Sequence, residues 1–302
     1  MSHGVKYIIK FSIFRNIRNF IIHSGLLGLV LFSTSVNAIT QEEVDSYKRL
    51  ADQGDGYYQV IVGQLYTFGL GVKTDKEAAT RYFKKAQSQG DADTQYRIGL
   101  IFDTGILGET NYKEALLWFK KSAKQKHVDS MYQVGRYYQE GFSVDPNTKR
   151  AYYWLKKAAD KGNIKAAYEV GMLSRYEKSV LNYEAAAFYL NKASFTSHVS
   201  ATYELGLLHY YGLGVPKDKE KAFELFLDAS GYYHGNSFYY LAVSAVNGEG
   251  TERSYSDAYY YLLRAQQYSI EDKFSLQSFL KEKLDAQALI NAHIRLQEES
   301  SI

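Results

Sequence analysis

The chain has no cysteine, which excludes a disulfide scaffold, a thiol nucleophile and any zinc site built on thiolates. Proline is nearly as scarce, with only Pro146 and Pro216 among 302 residues. A proline in a helix interior costs about 3 kcal/mol, so its scarcity suits a chain that is mostly helix. An excess of charge of one sign is missing as well. The formal net charge is +3, but Lys6, Lys10, Arg15 and Arg18 all precede the first acidic residue. Residues 39–302 carry 32 basic against 33 acidic groups, which gives no electrostatic reason to expect nucleic acid or an anionic membrane as partner.

What is present points to a folded protein. The apolar fraction of 46% is ordinary for one. Tyrosine is abundant, at 29 residues, and its large ring with a polar tip suits half-buried positions on thin layers and binding surfaces alike. At the start of the chain, the basic stretch ending at Arg18 leads into an apolar run, Phe20 to Phe32. Ser33-Thr34-Ser35-Val36-Asn37-Ala38 follows. That order is a charged, an apolar and a small-residue region, the pattern of a signal peptide spanning 1–38 and cleaved after Ala38. The alternative is an uncleaved anchor at residues 20–32. That run, with His23 inside it, is short of the roughly 20 apolar residues a spanning helix needs. The expected product is exported, periplasmic or secreted, with no membrane insertion once the leader is removed.

Beyond the leader, the sequence repeats. An apolar residue followed by glycine recurs as Val62-Gly63, Ile98-Gly99, Val134-Gly135, Val170-Gly171 and Leu205-Gly206, with Leu241-Ala242 as the sixth pair. The intervals are 36, 36, 36, 35 and 36 residues. Three residues before the glycine stand Tyr96, Tyr132, Tyr168, Tyr203 and Tyr239; six after it stand Gly69, Gly105, Gly141, Gly212 and Gly248. Ala78, Ala115, Ala151, Ala185, Ala222 and Ala258 form a later column, each followed by another alanine seven or eight places on. Glycine costs about 1 kcal/mol inside a helix. Its recurrence at one register implies close approach of two helices, with the alanines serving the same purpose on the partner. Trp118 with Phe119, Trp154 with Leu155 and Leu225 with Phe226 are expected to fill the space between hairpins. Asp75, Asn182 and Asp218 read as caps of the second helices, and Asp145-Pro146 as a cap with proline at the first helical position.

These columns resemble the Sel1-like repeat, a relative of the tetratricopeptide helix–turn–helix, most closely at residues 200–235. The resemblance implies an all-α, right-handed α-solenoid of about six helical hairpins with capping helices at both ends. Units are expected at 56–91, 92–127, 128–163, 164–198, 199–234 and 235–270. An N-terminal capping helix at 39–55 would open on a capping box of Thr40 and Glu43, and C-terminal capping helices would occupy 271–302. Two units depart from the pattern. Gly105-Ile106-Leu107-Gly108 lengthens the second turn, and Glu177-Lys178-Ser179-Val180 replaces the fourth, where a local irregularity is expected.

Chemistry is sparse. The histidines fall in different units without His-Glu-x-x-His spacing, and the Gly-x-Gly pairs are repeat turns rather than phosphate loops. His209 occupies the column of Tyr66 and reads as a core ring. No metal, cofactor or catalytic residue is expected, and the protein is read as no enzyme. Ser278-x-x-Lys281 has the spacing of a penicillin-interacting serine site but lacks its companion motifs. Some cysteine-rich relatives are linked to β-lactams, so a β-lactam or cell-wall-fragment binder or hydrolase is the alternative function.

What remains is a surface. Positions two before, one after and five after the glycine share a helical stripe that the packing columns leave free. It carries Arg97, Gln133, Arg136, Glu140, Glu169, Glu204, Tyr211 and Tyr240. The sharp expectation is a polarised groove for a protein or peptide partner; the bland one is solvated surface. The resemblance implies a scaffold or adaptor of the bacterial envelope or exterior, of unspecified oligomeric state.

Overall fold

A computed structural model of the chain describes residues 39–300 except 89, 106–108, 197 and 273–274. The expected signal peptide and the lengthened second turn, through Ile106, Leu107 and Gly108, lie outside the described residues. Those residues form fifteen α-helices, one 3-10 turn and no strand. They divide into two compact units at Asn147. The first contains α1 (Gln41–Asp52), α2 (Gly56–Phe68), α3 (Lys76–Gln87), α4 (Ala92–Thr104), α5 (Tyr112–Lys124) and α6 (Val128–Glu140). The second contains α7 (Thr148–Asp160), α8 (Ile164–Tyr176), α9 (Tyr183–Ser194), α10 (Val199–Tyr211), α11 (Lys219–Gly231), α12 (Gly235–Asn247), α13 (Tyr255–Gln267), α14 (Leu276–Lys283) and α15 (Ala286–Ser300). Within each unit a helix packs chiefly on its sequence neighbours, as helical repeats require.

Each hairpin is specified locally at both ends. The first helices open on side chains that accept the backbone N–H three residues on, from Asp55, Asp91, His127, Asn163 and His198. Most close on a left-handed glycine, at Gly69, Gly105, Gly141, Gly212 and Gly248. The second helices open on Asp75, Asn111, Asn182, Asp218 and Ser254 in the same way. One backbone hydrogen bond then clasps every turn. The N–H groups of Asp75, Asn111, Asn147, Asn182, Asp218 and Ser254 donate to the carbonyls of Tyr66, Phe102, Tyr138, Ser174, His209 and Ala245, at 2.7–3.0 Å.

The repeating glycine allows the two helices to touch. A Cβ added at Gly63, Gly99, Gly171 or Gly206 would stand 2.5–2.7 Å from Phe83, Phe119, Leu190 or Phe226. Phe119 and Phe226 therefore fill the inside of their own hairpins, a correction to the expectation that they pack between hairpins. Each such ring or branched chain is buried and contributes about 1.5–3 kcal/mol by leaving water. The alanine column also shifts. Ala79 and Ala186, rather than Ala78 and Ala185, stand with Ala115, Ala151, Ala222 and Ala258 in the fully buried position four residues after the cap column.

Two turn expectations need revision. Helix α7 begins at Thr148, so Asp145 does not cap it and Pro146 lies ahead of its first turn. Pro146 instead packs over Gly141, and Asn147 takes the cap column. In the fourth repeat α8 ends without a left-handed glycine. Glu177 is extended and Lys178–Val180 make a 3-10 turn, yet Asn182 still clasps Ser174 at 2.8 Å. The irregularity is confined to the loop.

The second turn glycine meets the preceding repeat. Gly214, at φ +69°, lies against the Tyr183–Glu184 backbone at the start of α9, and Gly250, at φ +74°, against Lys219–Glu220 at the start of α11. A Cβ at either would overlap backbone that cannot move aside. At the N-terminus, Thr40 and Glu43 form the reciprocal capping box, and α1 buries Val44 and Ala51. At the C-terminus, Leu284 adopts extended backbone and separates α14 from α15. The apolar positions from Phe279 to Ala292 are thus shared by two helices packed on α13.

Candidate functional site

In the first unit, the stripe expected to face solvent is partly consumed by structure. Arg97 on α4 is 8% exposed. Its Nε donates to Asp93 Oδ2 at 2.7 Å, and its guanidinium lies 4.6 Å from the ring centre of Tyr57 on α2. His127 Nε2 sits 3.8 Å from the other oxygen of Asp93. The hydrogen bond from His127, together with Arg97 and against the cost of burial, holds the Asp93 carboxyl down at about 2. Arg97 is a cross-link between two repeats, which corrects its expected place on a free reading surface. Gln133 is half-buried and hydrogen-bonded to the Tyr96 phenol, which burial and then Asp129 push up to about 12. Arg136 is half-buried beside Tyr137, and Glu140 is exposed at the end of α6.

The second unit assembles a cluster. The Arg175 guanidinium, buried at the end of α8, donates to the Glu204 carboxylate and, at 3.0 Å, to the Glu204 carbonyl on α10. The Tyr176 hydroxyl donates to the same carboxylate at 3.0 Å. The Tyr211 and Tyr240 hydroxyls lie 3.0 Å apart, joining the end of α10 to α12. Tyr240 rests on Phe226, Tyr210 and Tyr203 at centroid distances of 5.2, 5.5 and 6.0 Å. Glu169, half-buried on α8, stands near the Tyr168 phenol. Of the expected residues, Glu204, Tyr211 and Tyr240 join one cluster through Arg175 and Tyr176, and Glu169 stands with Glu204 near Tyr168.

Two members were missed in the sequence. Tyr176 lies five residues after Gly171, the column that also holds Glu140 and Tyr211, so its register marked it. Arg175, one residue earlier, falls outside the chosen columns; only its partner across the repeat gives it a role.

The electrostatics suit binding. Burial first, then Glu204, pushes the Tyr176 phenol up to about 12, and burial with the Tyr211 hydrogen bond raises Tyr240 as well. Both stay neutral at physiological pH and keep their hydroxyls as donors and acceptors. Tyr176 is 56% and Tyr211 51% exposed, so rigid aromatic surface faces solvent over a neutralised ion pair. No group of three or more His, Asp or Glu side chains is placed to hold a metal among the described residues. Ser278 and Lys281 are exposed on α14.

The repeat register, the glycine-mediated helix contact and the clasped turns find their counterpart in a known family model. The model described as Sel1 repeat matches residues 57–91, 92–127, 128–163, 164–194, 199–230 and 239–265, well over half of the chain. The chain belongs to the Sel1 repeat family. Sel1 repeats commonly serve as protein–protein interaction scaffolds.

Among solved structures, the Sel1 repeat chain is similar to a protective antigen present in uropathogenic Escherichia coli strains, which displays an SLR fold. The identity is 24% and the TM-score 0.66, over 92% of this chain and 58% of that one. It thus spans well under two thirds of that relative's length. A Sel1 repeat protein from Oxalobacter formigenes is similar at 22% identity and a TM-score of 0.63, over 82% of this chain and 76% of that one. These likenesses concern the fold. No curated protein matches the sequence.

Proposed function

We propose that this Sel1 repeat protein is an exported, non-catalytic scaffold of the bacterial envelope or exterior. It holds a protein or peptide partner against the face formed by α8, α10 and α12. The observation that carries the reading is the cluster of Arg175, Glu204, Tyr176, Tyr211 and Tyr240. Exposed phenols on a rigid aromatic bed offer contact area at little entropic cost, and their hydroxyls can pair with a peptide backbone. The buried ion pair beneath them holds two consecutive repeats in register, so the phenols are positioned before a partner arrives. Export is supported by the leader pattern of residues 1–38. Among the described residues, no helix is long and apolar enough to cross a membrane.

Crosslinking capture from native cells tests the reading. The protein should recover a saturable partner, and a Tyr176→Ala/Tyr211→Ala variant with unchanged helicity should lose it. Equal recovery by the variant would refute this face as the binding surface. The mass of the mature N-terminus tests cleavage after Ala38 against retention of residues 20–32.

A further inference from the structure

The outer helices of the second unit carry a pattern that the scaffold reading does not use. Helices α7, α9 and α11 lie side by side. The Tyr189 hydroxyl and Lys192 Nζ on α9 reach Asp160 and the Ala159 carbonyl on α7, at 2.5 and 2.6 Å. Gly214, four residues ahead of the α11 cap Asp218, rests on the first turn of α9. Each helix buries its alanine side, at Ala151, Ala186 and Ala222. The opposite side faces solvent.

That outer side is graded in charge. On α7 and the residue after it, Lys149, Arg150, Lys156, Lys157 and Lys161 stand against one carboxylate, Asp160, which pairs with Lys156 at 2.8 Å. On α11, Glu220, Glu224 and Asp228 stand with two cations, Lys219, which is tied to Glu249 at 3.0 Å, and Lys221, which pairs with Glu224 at 2.9 Å. Between them α9 exposes Phe188 (61%), and its C-cap residue seven places on, Phe195, is also exposed (82%). Two phenylalanines so open to water on one helical face are unusual, because large apolar groups gain most from burial.

A centre that is apolar, flanked by opposite charges, is self-complementary under a two-fold axis in its own plane and parallel to α9. Such a rotation lays α7 of one copy over α11 of the other and α9 over α9. An axis perpendicular to α9 would set α7 against α7 and is disfavoured by charge.

The register agrees. Counted from the cap column, Tyr153, Phe188 and Glu224 share the sixth position, Lys149 and Glu220 the second, and Lys157 and Asp228 the tenth. Phe188 would meet its own copy at the axis, with Lys157–Asp228 and Lys149–Glu220 pairs and a Tyr153 hydroxyl facing Glu224 on either side. Lys157 already lies over the Tyr153 ring, 4.4 Å from its centre. Glu184 would oppose its copy, but at the rim, where solvent screens it.

We infer that the α7–α9–α11 face is the interface of a homodimer, its two-fold axis running along α9. Three helices about 20 Å long and about 10 Å apart offer roughly 600 Å² per copy, near the low end for a specific complex. The surface is distinct from the face assigned to a partner above, so either assignment stands or falls without the other.

Sedimentation equilibrium of the purified protein, in a concentration series reaching about 0.1 mM, should show a salt-sensitive dimer. Lys157→Asp and Asp228→Lys should each weaken it about tenfold or more, because both copies then present like charges. Mixing the two variants should restore a heterodimer, since the exchanged charges again face opposite partners. Phe188→Glu should give a monomer with unchanged helicity. A wild-type protein that stays monomeric throughout would overturn the inference. So would a mixture of the charge variants that fails to associate, or a monomer that binds phosphatidylglycerol vesicles through the same lysines.

Discussion

The imidazole of His198 is stacked on the ring of Tyr168, with centroids 4.2 Å apart, and its Nδ1 accepts the backbone N–H of Ala201 at 3.3 Å. Tyr168 lies on α8, the first helix of one repeat, whereas His198 caps α10, the first helix of the next. The same ring pair recurs as Tyr96 with His127 at 4.7 Å and as Tyr203 with His234 at 4.6 Å. A cap within one repeat is thereby also a contact between two. His198→Ala should cost about 1–2 kcal/mol, the sum of a lost cap and a lost ring contact. His198→Asn, which keeps the cap, should cost about half as much. Urea unfolding of the two variants checks the order; equal losses would show that the cap contributes nothing.

Acid should weaken the fold at His209 and His234. Burial lowers the pKa of His209 below its usual 6.5, and does the same for His234. The Nδ1 of His209 is buried without a hydrogen-bond partner among the described residues. The unfolded chain therefore takes up protons more readily than the folded one. Stability is full above about pH 6.5 and is lost as pH falls through the lowered folded-state values. Thermal midpoints should drop between pH 7 and pH 5, and His209→Tyr, the residue this column holds at Tyr66 and Tyr138, should flatten the slope. An unchanged slope would remove His209 from the account.

Gly206→Ala should destabilise by about 1–3 kcal/mol, because its methyl would enter the Phe226 ring on the paired helix. Phe226→Leu alone should also destabilise. If close approach is the cause, the double variant should lose less than the two single losses combined. Additive losses in a double-mutant cycle would argue that helix propensity alone accounts for Gly206→Ala.

The turns give opposite signs at one column. Gly214 is left-handed and abuts backbone, so Gly214→Ala should cost about 3 kcal/mol from strain and overlap together. Ser143, two residues after Gly141 as Gly214 is after Gly212, holds φ 58° and is exposed. Ser143→Gly should stabilise by about 0.5 kcal/mol as the left-handed penalty is relieved. Differential scanning calorimetry should show the midpoints moving in opposite directions.

Much of the hairpin was legible in the residues because helix ends are local devices. Thr40 with Glu43, Asp75, Asn182 and Asp218 were read as caps from sequence alone. The cap column of the first helices was not, although Asp55, Asp91, His127, Asn163, His198 and His234 recur at the repeat interval. In all of these but His234 the side chain accepts the N–H three residues on, so three residue types share one acceptor role and the column shows no single residue type. The free stripe was half legible. Its periodicity includes Glu204, Tyr211 and Tyr240, which the fold links through Tyr176, but it also places Arg97 in solvent, where the structure buries it.

The amino-acid order by itself determined that the chain is helical, where hairpins start and stop, and which small residues let helices touch, since all of these depend on neighbours within one turn or one repeat. Only the tertiary structure decided that Arg97 and Arg175 are buried cross-links and that Phe188 and Phe195 face water. Whether a long side chain meets an opposite charge or the solvent depends on what the next repeat places a few ångströms away.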